Sequence, residues 1–201
     1  MAAVAIVDSG GANIASLSYA FERLGAAARL TCDPLEVRAA ARVVLPGVGA
    51  AGDAMRRLTE LGLAELLPTL TQPVLGICLG MQLLYESSAE DDTPCLGVIP
   101  GRVERLVAEP RRPVPHMGWN RLRLRGRSEL TAGIADGEHV YFVHGFAAPP
   151  GSEAVATCDY GGEFAAVVRH GNFYGTQFHP ERSASAGRRL LANFLAIPPW
   201  S

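Results

Sequence analysis

The stretch PVLGICLGMQLLYE, Pro73–Glu86, turns from an apolar run into a helix-like pattern, with one cysteine, Cys78, at the joint. Apolar residues on consecutive positions suit a strand covered on both faces, as in a parallel sheet. The flanking Gly76 and Gly80 remove side-chain bulk around Cys78. That is the logic of the nucleophile elbow G-x-S-x-G, here with cysteine in place of serine. A helix starting at this point directs free N–H groups toward the sulfur and favours its anionic form. The same residues fit a small thiol buried at a tight packing point about equally well.

The pattern extends on either side. AVAIV (3–7) reads as a first strand, and Ile14, Leu17, Phe21 and Leu24 follow at helical spacing, closed by Gly25. RVVLPG (42–47), a helical GDAMRRLTELG (52–62) and PVLGI (73–77) repeat the alternation, and LGMQLLYE reads as the start of another helix. The second half changes to period-2 segments, RLRLR (121–125), HVYFVHGF (139–146), EFAAVVRH (163–170) and NFYGTQFH (172–179), which read as antiparallel hairpins added to the sheet. A last helix over 183–197 should bury Leu190, Leu191, Phe194 and Leu195. The expectation is an α/β fold with a mostly parallel sheet flanked by helices, antiparallel additions in the second half, and a single domain over residues 1–201.

Composition narrows the function. The chain has 201 residues, is 48% hydrophobic and 19% charged, and carries a net charge of −2. All 18 basic residues are arginine, which excludes a Schiff-base lysine and the P-loop lysine. The near-neutral charge argues against nucleic acid as the main partner. Apolar runs fall short of the roughly 20 residues of a membrane span, and the opening residues lack the basic n-region of a signal peptide. Four cysteines without a CxxC pair fit reduced thiols in a cytoplasm.

A cysteine nucleophile needs a base, and TQFHPERS (Thr176–Ser183) offers one. In an extended chain residues i and i+2 share a face, so Glu181 can lie beside His179. The histidine can take the thiol proton while the carboxylate fixes its tautomer. Alone, HPE fits a strand-end histidine followed by a capping glutamate; with Cys78 it completes an ordered Cys, His, Glu set. Attack on an amide also needs N–H donors for the developing oxyanion. The turn LPGVGAAGD (45–53) and the amide of Leu79 are candidates, although the turn also reads as an ordinary strand-to-helix loop.

GICLGMQLL, TQFHPERS and LPGVGAAGDAM together resemble the class I glutamine amidotransferases. PHMGWN (115–120), YFVH (141–144) and VAIVDSGGANIASL (4–17) are similar to the branch whose members serve a (β/α)8-barrel cyclase. The likeness runs from the first strand to the last helix and implies the flavodoxin-like fold of that family. It also implies L-glutamine as substrate, hydrolysed through a thioester without a cofactor. On this likeness Cys78 is the nucleophile, His179 the base and Glu181 its orienter. The amides of Val48 and Leu79 form the oxyanion hole. Gly49, Gln82, His144, Gly145 and Phe146 line the glutamine pocket, and Asn13, Pro46 and Trp119 lie at the interface of a heterodimer with the cyclase.

Two places depart from that branch. Its members usually read HSY where this chain has His144, Gly145 and Phe146, so a hydroxyl and a phenol are missing, and backbone groups or water would hold glutamine instead. The opening turn reads DSGGAN rather than the more usual DYGxGN. Service to a different acceptor, as in pyridoxal phosphate, anthranilate or GMP synthesis, and a non-catalytic regulatory module of the same fold stand as alternatives. The remaining histidines, His116, His139, His144 and His170, make no HExxH pattern, so no metal is expected. GGAN lacks GxGxxG, and the alternating arginines of RLRLRGR read as a solvent face.

Overall fold

A computed structural model describes residues 3–8 and 14–198; Asn13 lies outside the described residues. In chain order the elements are β1 (Ala3–Val7), α1 (Ile14–Glu22), β2 (Ala27–Thr31), α2 (Pro34–Ala39), β3 (Arg42–Gly47), α3 (Ala51–Glu60) and α4 (Leu63–Leu66). There follow β4 (Val74–Cys78), α5 (Leu79–Gln82), β5 (Tyr85–Ser88), β6 (Thr93–Pro94), β7 (Ile99–Arg105), β8 (His116–Arg121) and β9 (Arg123–Leu124). The chain continues through β10 (His139–His144), β11 (Phe146–Ala147), β12 (Ala154–Asp159), β13 (Glu163–His170), β14 (Phe173–Thr176) and α6 (Ala184–Ala196).

The main sheet has the order β2-β1-β3-β4-β14-β13-β12-β9. β2, β1, β3, β4 and β14 are mutually parallel neighbours, and β13, β12 and β9 continue antiparallel. This is the strand order of a doubly wound, flavodoxin-like sheet with an antiparallel extension. Successive strand residues point to opposite faces, and each face has its own apolar layer. Val44, Leu75 and Ile77 pack with Leu17, Phe21, Leu190, Leu191 and Phe194; Val43, Leu45 and Val74 pack with Leu58, Leu63 and Leu67. Each such side chain contributes about 1.5–3 kcal/mol on burial. At the start of β3 the buried Arg42 donates to the carbonyls of Phe194 (3.2 Å) and Ile197 (2.8 Å), which satisfies the end of α6.

Several local expectations need correction. The helix after Cys78 is a single turn, and Tyr85 and Glu86 belong to β5, because Leu83, Leu84 and Tyr85 enter the second apolar layer. HVYFVHGF does not extend the main sheet. Its β10 pairs with β8 in a separate two-stranded ribbon, and β11 joins a four-stranded sheet of order β11-β7-β5-β6. NFYGTQFH is antiparallel to β13 on one edge but parallel to β4 on the other. RLRLR breaks at the fully buried Leu122, and Leu195 is only partly buried.

The one-turn α5 lies unusually close to the sheet. A Cβ on Gly76 would come within 2.7 Å of the Gly80 carbonyl and the Met81 backbone, and one on Gly80 would overlap the Leu45 carbonyl. Both neighbours are backbone, so neither can move aside. Gly80→Ala is therefore expected to destabilise the protein by about 3 kcal/mol or prevent folding, measured by urea unfolding. Unchanged stability would contradict this packing.

Candidate active site

Parallel register brings three strand ends together. In the ladders Gly47 lies opposite Cys78, while Ile77 lies opposite both Pro46 on β3 and Thr176 on β14. The segments after these strands, Val48-Gly49, Leu79-Gly80 and Gln177–His179, thus share one end of the sheet, where open α/β sheets bind ligands. Cys78 turns sharply there, with φ 54° and ψ −111°, a conformation unfavourable for a residue with a Cβ. The turn places Cys78, a buried residue 7% exposed, at the cavity wall.

His179 follows β14 and donates its backbone N–H to the Tyr141 carbonyl at 3.0 Å. Its Nδ1 lies 2.9 Å from Glu181 Oε1, and its ring also interacts with the Cys78 side chain. Burial disfavours the imidazolium, but hydrogen bonds and charge from Cys78 and Glu181 outweigh it and raise the His179 pKa to about 10. The ring is thus favoured as the imidazolium, between the Glu181 carboxylate and the Cys78 side chain. Burial pushes the Cys95 and Cys158 thiols up to about 11 and about 12, which makes them poor nucleophiles at neutral pH.

Beside the thiol lies a cavity of about 180 Å³, lined among others by Val48, Gly49, Leu79, Gln82, Glu90 and His179. His144, Gly145 and Phe146 complete one wall. Glu181 stands behind His179, outside this wall. Pro46 and Trp119 do not line the cavity. Trp119 is 53% exposed on the outer face of the β8–β10 ribbon and packs edge-to-face on Tyr141, whose ring is covered by the Arg182 guanidinium at 4.3 Å.

The pocket-wall residues are held from behind. The Gln82 nitrogen donates to the carbonyl of Phe146 (2.8 Å) and to Gln177 Oε1 (3.0 Å), which uses both its N–H groups. His144 is buried; its Nδ1 donates to the Phe146 carbonyl at 2.8 Å, and its Nε2 is 3.0 Å from His116 Nδ1. The imidazole of His144 is therefore committed to structure, and what this segment offers a ligand is backbone. Burial pulls the pKa of His144 down to about 3 and that of His116 to about 4, so both rings are neutral near pH 7.

Sequence reading missed Glu90, Val143 and Gln177. Glu90 lines the cavity, and its carboxylate accepts from the Ala51 N–H at 2.8 Å. The Val143 carbonyl lies 3.6 Å from Cys78 Sγ, and Gln177 Nε2 lies 3.7 Å from it. Gln177 stood inside the TQFHPERS motif and was passed over, while Glu90 sits in an acidic run that reads as solvated surface. Among the described residues no group of three or more His, Cys, Asp or Glu side chains is arranged to hold a metal ion. No helix among them is long and apolar enough to cross a membrane.

The family model "Glutamine amidotransferase class-I" matches residues 5–197. The chain belongs to the class I glutamine amidotransferase family. Within it, the imidazole glycerol phosphate synthase subunit HisH of Xylella fastidiosa (strain Temecula1) is 55% identical over 197 residues, covering 98% of each chain. Subunit HisH 2 of Legionella pneumophila (strain Paris) is 53% identical over 194 residues, 96% of this chain and 98% of that one. In fold, the chain matches a crystal structure of a glutamine amidotransferase with TM-score 0.75 at 20% identity, covering 96% of this chain and 97% of that one. PurLQS from Thermotoga maritima gives TM-score 0.71 at 17% identity, covering 97% and 98%. A class I amidotransferase is an enzyme, and the flavodoxin-like sheet is that of its family.

The neutral histidine pair has a consequence for stability. Once unfolded, His144 and His116 bind protons near their ordinary value of 6.5, whereas folded they resist until about pH 3 and 4. The unfolded chain therefore takes up more protons as pH falls through this window. The contribution is full above about pH 6.5 and is lost on acidification. A melting-temperature series from pH 7 to 4 is expected to fall, and His116→Gln combined with His144→Gln should flatten that fall. An equal slope in the double variant would contradict the assignment.

Proposed function

We propose that the chain, acting as one domain over residues 1–201, is the glutaminase subunit of imidazole glycerol phosphate synthase in the cytoplasm. It hydrolyses L-glutamine to glutamate and ammonia, and it passes the ammonia to the cyclase subunit HisF, a (β/α)8 barrel. The pair then forms imidazole glycerol phosphate and an aminoimidazole carboxamide ribotide. The observation that carries the reading is the meeting of Cys78, His179 and Glu181 beside one cavity, in a chain more than half identical to full-length relatives named HisH. Four free cysteines suit a reducing compartment.

The geometry supports the following steps. His179 takes the Cys78 proton, and the sulfur attacks the carboxamide carbon of glutamine. Charge on the oxygen is met by the N–H groups of Val48 and Leu79; the amide of Leu79 opens a helix turn and has no intrahelical acceptor. His179 returns the proton to the departing nitrogen, ammonia leaves, and a thioester remains. Water attacks the thioester with His179 again as base, which releases glutamate and restores the thiol. Glu181 keeps the imidazole oriented and its cation stable. The Glu90 carboxylate in the wall suits the α-ammonium group, and Gly49, Gly145 and Phe146 offer backbone to the rest of the amino acid, with Gln82 and His144 holding that wall.

A docking face for the cyclase is supported by the apolar residues near the cavity. Val48, Met117 and Trp119 are 40%, 64% and 53% exposed. With Pro46 they form the proposed heterodimer interface; Asn13, which the sequence likeness also assigns to it, lies outside the described residues.

In the complex with the cyclase, Cys78→Ala is expected to abolish glutamine-dependent turnover while turnover with ammonium salts persists. Normal glutamine use would sink the assignment of the nucleophile. Glu181→Gln should lower kcat by about 10²-fold, the scale of a misaligned general base. Glu90→Gln should instead raise KM about tenfold with kcat nearly unchanged, as expected for the loss of one charge-assisted contact to the substrate. A kcat effect without a KM effect would contradict that placement.

A further inference from the structure

Behind the cavity runs a chain of buried polar contacts whose polarity is forced from one end. The Phe146 carbonyl can only accept, so the Gln82 atom 2.8 Å from it is the nitrogen. That nitrogen also faces Gln177 at 3.0 Å, and as a donor it requires the Gln177 oxygen there. The other end of the Gln177 carboxamide, its nitrogen, is thereby turned to Cys78 Sγ at 3.7 Å. Phe146 is held in the same way from the far side. Asn120 Nδ2 approaches His116 Nε2 at 3.4 Å, His116 Nδ1 donates to His144 Nε2, and His144 Nδ1 donates to Phe146. Gln177 itself is wholly buried, and its backbone N–H is fixed to the Ala166 carbonyl at 2.9 Å.

We propose that Gln177 is a catalytic residue: its carboxamide N–H donates to the Cys78 sulfur and holds the thiolate in the attacking position. The proposal rests on Cys78 being the nucleophile. The sulfur has two opposed neighbours. The Val143 carbonyl, 3.6 Å away, accepts from the thiol but repels the thiolate. The Gln177 N–H gains strength when the sulfur becomes an anion, because hydrogen bonds to ionised acceptors are the stronger ones. On ionisation the sulfur therefore loses its reason to lie against Val143 and keeps its bond to Gln177. Because the carboxamide cannot flip without placing two donors nose to nose at Gln82, the donor is preorganised and costs no reorientation during attack. His179 removes the proton, and Gln177 steadies the anion left behind.

The test uses the full chain with its cyclase subunit. Gln177→Met keeps the volume and removes the donor; Gln177→Glu keeps the acceptor for Gln82 and removes the donor. For Gln177→Met the rate of Cys78 alkylation by iodoacetamide, read on the Cys78 peptide by mass spectrometry, is expected to move to higher pH by about one unit. Its kcat should fall about tenfold with KM within about twofold, the size of one charge-assisted hydrogen bond. Gln177→Glu, with a carboxylate facing the sulfur, should fall further. An unchanged alkylation profile and kcat in a folded Gln177→Met chain overturns the proposal while leaving the nucleophile intact; retained turnover in Cys78→Ala would instead overturn the underlying reading. Should the variants fail to fold, the unsubstituted chain decides. The Gln177 side-chain N–H resonance is expected to move downfield as the Cys78 thiol ionises, and a resonance that stays in place overturns the proposal.

Discussion

The structure depends on the register of three parallel strands. β3, β4 and β14 end at the same level, so a strained cysteine, a glycine turn and a histidine segment emerge side by side without any long loop to position them. The elbow at that level in turn needs a backbone approach that only glycine permits. α5 rests on β3 and β4 through Gly76 and Gly80, whose missing side chains let the Gly80–Met81 backbone sit against β4 at Gly76 and against the Leu45 carbonyl of β3. A side chain at either point would lift the elbow and carry Cys78 away from His179. Packing and chemistry are thus one constraint: the residues that allow the fold to close at this edge also aim the thiol.

The back of the site is buried. Four polar side chains that line or back the cavity, Gln82, His144, Gln177 and His179, are nearly or wholly buried. Buried polar groups are costly unless paired, and here each one is paired with another or with a backbone carbonyl. The result separates two electrostatic regimes within one wall. His179, between a thiol and a carboxylate, is driven toward the cation, whereas His144 and His116, stacked among Phe142, Tyr160 and Phe164, are kept neutral. The first suits the proton transfer proposed for it. The second pair is placed to transmit orientation.

Much of this was legible in the sequence where a residue's neighbours lie close in the chain. RVVLPG and PVLGIC read as buried parallel strands because both their faces are covered, and GICLG read as an elbow because its glycines flank the cysteine directly. HVYFVHGF showed one buried face by its alternation, but alternation does not say which strand is the partner, and the ribbon with β8 was missed. LGMQLLYE looked helical because Leu83, Leu84 and Tyr85 suit a helix and a bend into a strand equally well. The set of Cys78, His179 and Glu181 could be proposed from ordered motifs. Glu90 and Gln177 could not, since their roles exist only through contacts with Ala51, Gln82 and Cys78 across the fold.

The central claim is that glutamine is opened by the Cys78 sulfur. Its most direct test is rapid acid quench of the complex during glutamine turnover, followed by mass spectrometry of the digested chain. The account predicts a glutamyl thioester on the peptide containing Cys78, which disappears when the complex is left to exhaust its substrate. A glutamyl adduct on another residue, or turnover with Cys78 unmodified throughout, would contradict it.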